Sequence, residues 1–188
     1  MTTILLFHHA QGLTPGVLAF ADELRQAGHT VHTPDLYEGR TFDTLDEGMA
    51  HAGALGFGAL VERGLAVAET LPADLVYAGF SLGVMPAQRL AQTRPGARGA
   101  LLYSAAIPLD EFGGAWPDGV PVQFHVMEND ELGDVDVAKA LAGEIPDAEL
   151  FLYPGSAHLF ADSSLPAFTP DAAALLTRRS LELLARVG

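Results

Sequence analysis

A serine between two glycines is the feature of this sequence whose residue types and spacing most clearly suggest covalent chemistry. The segment Gly79–Gly83, Gly-Phe-Ser-Leu-Gly, follows the apolar run Leu75–Ala78 and precedes a helical pattern that begins at Val84. In a strand–turn–helix elbow the central serine has a strained backbone, so the positions two before and two after it must be small. The pattern favours Ser81 as a nucleophile that attacks a carbonyl group; the alternative is a tight turn with a capping serine.

A serine hydroxyl needs a base that removes its proton, and in this kind of elbow the base follows the serine along the chain. Of the seven histidines, His125 and His158 lie downstream of Ser81. His125 falls inside an apolar run that is typical of a strand, so its side chain should point away from the strand ends where ligands bind. His158 lies in a glycine-containing loop after a strand, and we predict that it is the base.

The base in turn needs a carboxylate that fixes its tautomer and stabilises its charged form. The loop Met127–Asp134 follows a predicted strand and offers four carboxylates. Asp130 is favoured by its distance from the end of that strand, whereas Asp134 and Asp136 are expected to cap or open the following helix. The predicted catalytic set is therefore Ser81, Asp130 and His158.

Negative charge that develops on a carbonyl oxygen requires two preorganised N–H donors. The first should be the backbone of Leu82, directly after the nucleophile, and the second should come from the loop after the first strand, from Ala10 or Gln11. His9 lies in the same loop, and it is predicted either to contact substrate or to have a structural role. All of these residues must be placed by the elements around them.

The apolar patterns alternate between strands and helices along the whole chain. Strands are predicted at Ile4–Phe7, Thr30–Thr33, Asp74–Ala78, Ala100–Tyr103, Val120–Met127 and Glu149–Tyr153, and helices at Pro15–Ala27, Leu45–Leu71, Met85–Thr93, Val135–Ala142 and Asp171–Ala185. This alternation predicts an α/β fold with a mostly parallel sheet and helices on both faces. No change of composition marks a linker, so we expect one domain over residues 1–188.

The composition excludes several classes of partner. Twenty-four acidic and ten basic residues give a formal net charge of −14, which should repel nucleic acid and anionic membranes. The absence of cysteine excludes disulfides and thiolate-bound metals, and His8 and His9 lack the spacing of a metal site, so no metal is predicted. The first residues lack the basic region and long apolar run of a signal peptide, so we expect a cytoplasmic protein.

Three ordered segments, together with Gly79–Gly83, carry a resemblance to a known family. Pro34–Tyr37 (Pro-Asp-Leu-Tyr), Met127–Asp130 (Met-Glu-Asn-Asp) and Tyr153–Phe160 (Tyr-Pro-Gly-Ser-Ala-His-Leu-Phe) resemble the dienelactone hydrolase family of the α/β-hydrolases over nearly the full length. The resemblance implies the α/β-hydrolase fold, and it supports Asp130 over Asp134 as the acid. The length of 188 residues leaves little room for a lid, so a small or absent lid is expected.

The chain also departs from this pattern at three positions. The dienelactone-cleaving members carry a cysteine where this chain has Ser81, a glutamate where it has His9, and an arginine where it has Asp162. Asp162 is therefore expected to repel an anionic lactone, and the chemistry to be that of an ordinary serine esterase.

The expected activity is hydrolysis of a small carboxylic ester or lactone without a cofactor. The alternatives are a thioesterase, because a triad acts on the carbonyl group and not on the leaving group, and a non-catalytic binding protein with the same fold. Four side chains are expected to line the substrate pocket: His9, Tyr37, Phe80 and Trp116.

Overall fold

The computed structural model describes all 188 residues, and six parallel strands form its centre. The strands are β1 (Thr3–Phe7), β2 (Thr30–His32), β3 (Val76–Phe80), β4 (Gly99–Tyr103), β5 (Val122–Met127) and β6 (Ala148–Tyr153). The helices are α1 (Pro15–Gln26), α2 (Leu45–Leu55), α3 (Phe57–Glu69), α4 (Val84–Thr93), α5 (Val135–Glu144) and α6 (Pro170–Val187), with short 3₁₀ turns at Ser81–Gly83 and Leu109–Phe112.

The order of the strands fixes where a ligand can bind. Every pair of neighbours is parallel, and the order across the sheet is β2-β1-β3-β4-β5-β6. The chain therefore moves outward from β1 to β2 and then crosses to the other side of β1 for β3. In open parallel sheets this change of direction leaves a crevice at the carboxyl ends of the two central strands. In this fold those strands are β1 and β3.

Helices cover both faces of the sheet, which explains why the strands are apolar throughout. On β1, Leu5 and Phe7 belong to a core of 26 buried residues on one face, and Ile4 and Leu6 belong to a core of 20 on the other face. Each fully buried side chain of this size contributes about 1.5–3 kcal/mol of hydrophobic free energy. The architecture confirms the predicted α/β-hydrolase fold with a parallel sheet.

The region between β2 and β3 differs from the prediction of one mostly helical segment. A capping box formed by Thr44 and Glu47 starts α2, and Gly56, with φ 89°, ends it and begins α3. Both segments are rich in alanine, so the helical periodicity of the sequence predicts one continuous helix. The positive φ angle at Gly56 divides it into two. The predicted strand at Asp74–Ala78 also lies two residues too early, because β3 continues to Phe80.

Helix α6 is the longest helix, with 18 residues, and it packs Leu176, Leu183 and Leu184 against the sheet. Its remaining face carries charged side chains, in agreement with the predicted amphipathic pattern. No helix in the structure combines the length and the apolar character that crossing a membrane requires.

Candidate active site

Ser81 lies at a sharp turn between β3 and α4. Its φ angle is 48°, in the left-handed region that non-glycine residues seldom adopt and that costs roughly 1–3 kcal/mol. A β-carbon on Gly79 would overlap the carbonyl group of Gly83, and a β-carbon on Gly83 would overlap the carbonyl groups of Phe7 and His8. The two glycines therefore let the strand, the turn and the end of β1 meet, and the turn holds the Ser81 hydroxyl above the carboxyl edge of the sheet.

Ser81, His158 and Asp130 lie together in a continuous hydrogen-bonded chain. The Oγ of Ser81 is 2.7 Å from Nε2 of His158, and Nδ1 of His158 is 2.8 Å from Oδ2 of Asp130. The side chain of Asp130 is 2% exposed and that of His158 is 11% exposed. The carboxylate is thus shielded from water, while the imidazole still reaches the surface beside the serine.

The loop after β5 fixes the orientation of the Asp130 carboxylate. The N–H of Leu132 donates to Oδ1, which leaves Oδ2 for His158. A β-carbon on Gly133 would overlap the same carboxylate, so the loop closes tightly around it. Two backbone hydrogen bonds, from Glu128 to Tyr153 and from Asn129 to Gly155, join this loop to the one that carries His158. The acid and the histidine are therefore positioned by one connected pair of loops.

The other downstream histidine, His125, lies in the core as its place in a strand predicted. It is fully buried in β5, where its two ring nitrogens contact the hydroxyl of Tyr153 and the side-chain oxygen of Gln123. Burial, with a smaller contribution from the positive charge of Arg179, lowers the pKa of His125 to about 3. The imidazole is consequently neutral at physiological pH. Both of its nitrogens are engaged in the core, so it does not serve as a base for Ser81.

The two residues predicted as the second N–H donor, both in the loop after β1, differ in whether their N–H group already has an acceptor. The N–H of Gln11 donates to Nδ1 of His9 at 3.2 Å, whereas no acceptor is found for the N–H of Ala10. Leu82 begins the turn into α4, where the first N–H groups of a helix have no partner within it. Of the two residues predicted as the second donor, Gln11 is already engaged and Ala10 keeps an N–H without an acceptor.

The whole chain matches the model of one known family. The model of the dienelactone hydrolase family matches residues 1–188. The chain belongs to the dienelactone hydrolase family. Its members are hydrolases, so the coarse activity predicted from the sequence is supported, and the resemblance read from the four segments is confirmed. Comparison with curated proteins gives no significant match.

Solved structures of dienelactone hydrolases and related enzymes share the fold. Dienelactone hydrolase from Anabaena variabilis superposes with a TM-score of 0.72 and 20% identity, covering 99% of this chain and 87% of that one. A dienelactone hydrolase-like promiscuous phosphotriesterase from metagenomic libraries gives 0.78 and 17%, covering 100% and 87%. A thioesterase domain from the curacin biosynthetic pathway gives 0.65 and 14%, covering 96% and 90%. At these identities the likeness establishes the fold.

Two of the departures from the dienelactone-cleaving pattern contact each other in this family member. Nε2 of His9 lies 2.7 Å from Oδ2 of Asp162, and the two side chains are 0% and 2% exposed. Because Nδ1 of His9 accepts the N–H of Gln11, the ring proton must lie on Nε2 and is donated to the carboxylate. His9 thus stands where those members have a glutamate, Asp162 stands where they have an arginine, and these two side chains contact each other.

Asp162 is enclosed by donors and does not face a pocket. Besides His9, the hydroxyl of Thr14 and both the N–H and the hydroxyl of Ser164 donate to its carboxylate. Burial alone would raise the pKa of Asp162, but the hydrogen bonds from His9, Ser164 and Thr14 outweigh it and hold that pKa at about 2. Asp162 keeps its negative charge but does not line the pocket beside Ser81, so the expected repulsion of an anionic lactone stays a prediction.

An apolar pocket of about 430 Å³ opens beside Ser81. It is lined by residues from α2, α3, the start of α4 and the loops after β4 and β5: Met49, Phe57, Ser81, Leu82, Met85, Ala105, Ala106, Ile107, Pro108, Glu111, Phe112, Leu132 and Asp134. Met49, Phe57 and Leu132 are 41%, 38% and 57% exposed, and they are three of the five large hydrophobic side chains that the protein exposes. Apolar surface is thus concentrated at this site.

The four side chains predicted to line the pocket lie elsewhere. Tyr37 and Phe80 are buried in the core, and His9 is enclosed with Asp162. Trp116 donates to the carbonyl group of Val120, just before β5 begins, so it lies at the amino edge of the sheet, opposite Ser81. Tyr37 and Phe80 belong to two of the motif segments, whereas the lining of the pocket beside Ser81 comes from segments that meet only in the folded chain.

Asp134 is the residue of the pocket that the sequence assigned differently. It precedes α5 with φ 51°, and its side chain does not cap the helix. Partial burial raises the pKa of Asp134, against the opposing effects of the Ala106 backbone and His158. The sequence carries no local signal for this role, because Asp134 is the last of four carboxylates in the loop Met127–Asp134 and its contact with the pocket depends on the fold.

Proposed function

We propose that the protein is a serine hydrolase that cleaves a small carboxylic ester or lactone through an acyl-enzyme on Ser81. The observation that carries this proposal is the unbroken chain from the Ser81 hydroxyl through His158 to Asp130, with contacts of 2.7 and 2.8 Å, at the mouth of an apolar pocket. Membership of a hydrolase family supports it. The acidic surface favours a small-molecule substrate over nucleic acid.

In the first half of the proposed reaction, Oγ of Ser81 attacks the carbonyl carbon while Nε2 of His158 takes its proton. Asp130 accepts the Nδ1–H and stabilises the imidazolium that forms. The carbonyl oxygen becomes an oxyanion and is met by the N–H groups of Leu82 and Ala10. His158 then gives its proton to the leaving alkoxide, the carbon–oxygen bond breaks, and the alcohol departs.

In the second half, water attacks the ester formed on Ser81. His158 takes a proton from that water, a second oxyanion occupies the same two N–H groups, and the proton passes to Oγ of Ser81 as the bond to it breaks. The products are a carboxylic acid and the free serine. Every step uses groups of the chain and water, so the proposal requires no metal or cofactor.

Replacement of the nucleophile tests this proposal. Ser81→Ala should reduce hydrolysis of p-nitrophenyl acetate by about 10⁴-fold or more, since it removes the atom that forms the intermediate. Ser156→Ala is the matched control, because Ser156 is exposed in the loop that carries His158 and makes no contact with Ser81. Activity of Ser81→Ala comparable with the wild type would refute the mechanism.

A covalent probe separates the enzyme from a non-catalytic binding protein. A fluorophosphonate should label the wild type and Ser156→Ala at Ser81, and should leave Ser81→Ala unlabelled. Absence of labelling in the wild type would favour the binding protein. Parallel assays with an ester, a thioester and a lactone of the same acyl group would rank the leaving groups, on which the triad itself places no constraint.

A further inference from the structure

We propose that the pocket beside Ser81 is an acyl site for apolar groups that are neutral or positively charged, and that Asp134 and Glu111 exclude carboxylates from it. This inference rests on the proposed function, because a pocket selects the acyl group only if Ser81 is the nucleophile. It names the class of substrate, which neither the triad nor the family membership determines.

The position of His158 assigns the pocket to the acyl side of the substrate. The histidine must protonate the leaving group, so the alcohol of an ester has to lie next to its Nε2. Ser81 and Leu82 belong to the lining of the pocket, but His158 does not. The group that enters the pocket is therefore the one that stays bound to Ser81 after the alcohol has left.

The apolar walls of the pocket require a hydrocarbon body. Nine of the thirteen lining residues are hydrophobic, and Met49, Phe57 and Leu132 expose large side chains there. A substrate hydrocarbon that covers this surface removes apolar area from water, which is favourable. Methionine side chains adapt to different shapes, so Met49 and Met85 suit acyl groups that vary in outline.

The charged groups of the pocket have a single sign. Glu111 and Asp134 are acidic, and no lysine, arginine or histidine lines the pocket. A substrate carboxylate would face these two charges without a counterion, whereas an ammonium group would meet a partner. The net charge of −14 adds a long-range field of the same sign.

The location of Asp134 favours a local effect of its carboxylate on the substrate over an effect of the overall net charge. The charges of His158 and Asp130 act on its carboxylate, so Asp134 lies beside the reacting groups of the proposed mechanism as well as in the lining of the pocket. Its backbone is left-handed, a conformation that aspartate and asparagine tolerate better than most residues. Asparagine can therefore replace it without backbone strain, which makes a clean test possible.

Three p-nitrophenyl esters of matched length test the proposal: pentanoate, the monoester of glutarate, and 4-(trimethylammonio)butyrate. With the uncatalysed rates subtracted, kcat/KM should rank the cation first and the anion last. A charge roughly 6 Å from one carboxylate in a water-like medium gains or loses about threefold, so each carboxylate changes the cation-to-anion ratio about tenfold. The neutral ester serves as the reference within every variant.

Variants distinguish the two carboxylates of the pocket from charge in general. Asp134→Asn should lower the cation-to-anion ratio about tenfold, and Glu111→Gln should lower it by a smaller factor because its side chain is exposed. Asp136→Asn removes the same charge two residues away, from a fully exposed side chain outside this pocket, and should leave the ratio within about twofold of the wild type. An equal effect of Asp134→Asn and Asp136→Asn would overturn the proposal, as would a wild-type ratio near one.

Binding separates failure of this proposal from failure of the proposed mechanism. The p-nitroanilides of the same three acids are to be titrated into Ser81→Ala by calorimetry, where no turnover occurs. Tighter binding of the cationic analogue supports the charge preference of the pocket even if no ester is hydrolysed by the wild type, in which case the proposed mechanism alone fails. Equal or tighter binding of the anionic analogue overturns the acyl site even if Ser81 is confirmed as the nucleophile.

Discussion

The protein contains two histidine–carboxylate pairs of nearly the same geometry in different surroundings. His158 and Asp130 are 2.8 Å apart, His9 and Asp162 are 2.7 Å apart, and each aspartate side chain is 2% exposed. The difference lies at the second ring nitrogen. Nε2 of His158 meets the hydroxyl of Ser81, whereas Nδ1 of His9 accepts a backbone N–H.

The contrast shows that the pair by itself does not define a catalytic base. A proton can be shuttled only where the free nitrogen faces a group that gains and loses one, and where substrate has access. His158 meets both conditions in the proposed mechanism. His9 meets neither, because its second nitrogen is occupied by Gln11 and the ring is fully enclosed. We therefore interpret the His9–Asp162 pair as a clamp that holds the loop of Ala10.

Matched substitutions of the two carboxylates should break this comparison most sharply. Asp130→Asn should reduce kcat by about 10³- to 10⁴-fold with little loss of stability, since the histidine loses its partner for the charged form. Asp162→Asn should instead lower the free energy of unfolding by about 2–3 kcal/mol, because several buried donors lose a charged acceptor. Ester hydrolysis and urea unfolding of both variants provide the measurements. A kcat loss of 10³-fold in the folded Asp162→Asn protein would mean that the two pairs are not functionally distinct.

The contribution of the His9–Asp162 pair to the free energy of unfolding should depend on pH in the acid range. The pKa of Asp162 in the folded protein, about 2, lies below its ordinary value of 3.8, so its contribution is complete above about pH 4 and is lost as the pH falls through 2. The loss amounts to about 2 kcal/mol in the free energy of unfolding. Urea unfolding at several pH values should show the wild type and Asp162→Asn converging as the pH falls towards 2. A difference that stays constant with pH would contradict this assignment.

The smallest effect is expected when the histidine of the clamp is replaced. His9→Gln should lower kcat about tenfold and leave KM nearly unchanged, because a small shift of the Ala10 N–H weakens a contact made in the transition state. Steady-state kinetics on p-nitrophenyl pentanoate separate the two constants. A rise of KM without a change of kcat would instead place His9 in contact with substrate, as one of the predictions from sequence had it.

Local signals explain which parts could be predicted from the sequence. The elbow at Ser81 needs small residues at fixed distances, and the alternation of strands and helices follows from short-range patterns, so both were accessible. Chain order then left two histidines for the base, and the strand around His125 excluded one of them. The location of Asp130 in the loop after β5 followed from the parallel sheet.

Contacts between distant segments explain what could not be predicted. His9 and Asp162 are 153 residues apart, and neither has a local pattern that announces the other. The pocket likewise combines Met49 and Phe57, which lie on helices either side of the break at Gly56, with Leu132 from the loop after β5. Tyr37 and Phe80 were assigned to the pocket from their place beside motifs, but burial of large aromatic side chains in the core outweighed that proximity.

The segments that position the three proposed catalytic residues are largely separate from those that form the pocket walls, and this separation has an evolutionary consequence. Ser81, Asp130 and His158 follow β3, β5 and β6, and two backbone hydrogen bonds join the loops of the last two. Most of the pocket walls come instead from α2, α3 and the segment after β4. Under the proposed mechanism, mutations or insertions in those segments would change the acyl preference while Ser81, Asp130 and His158 keep their alignment.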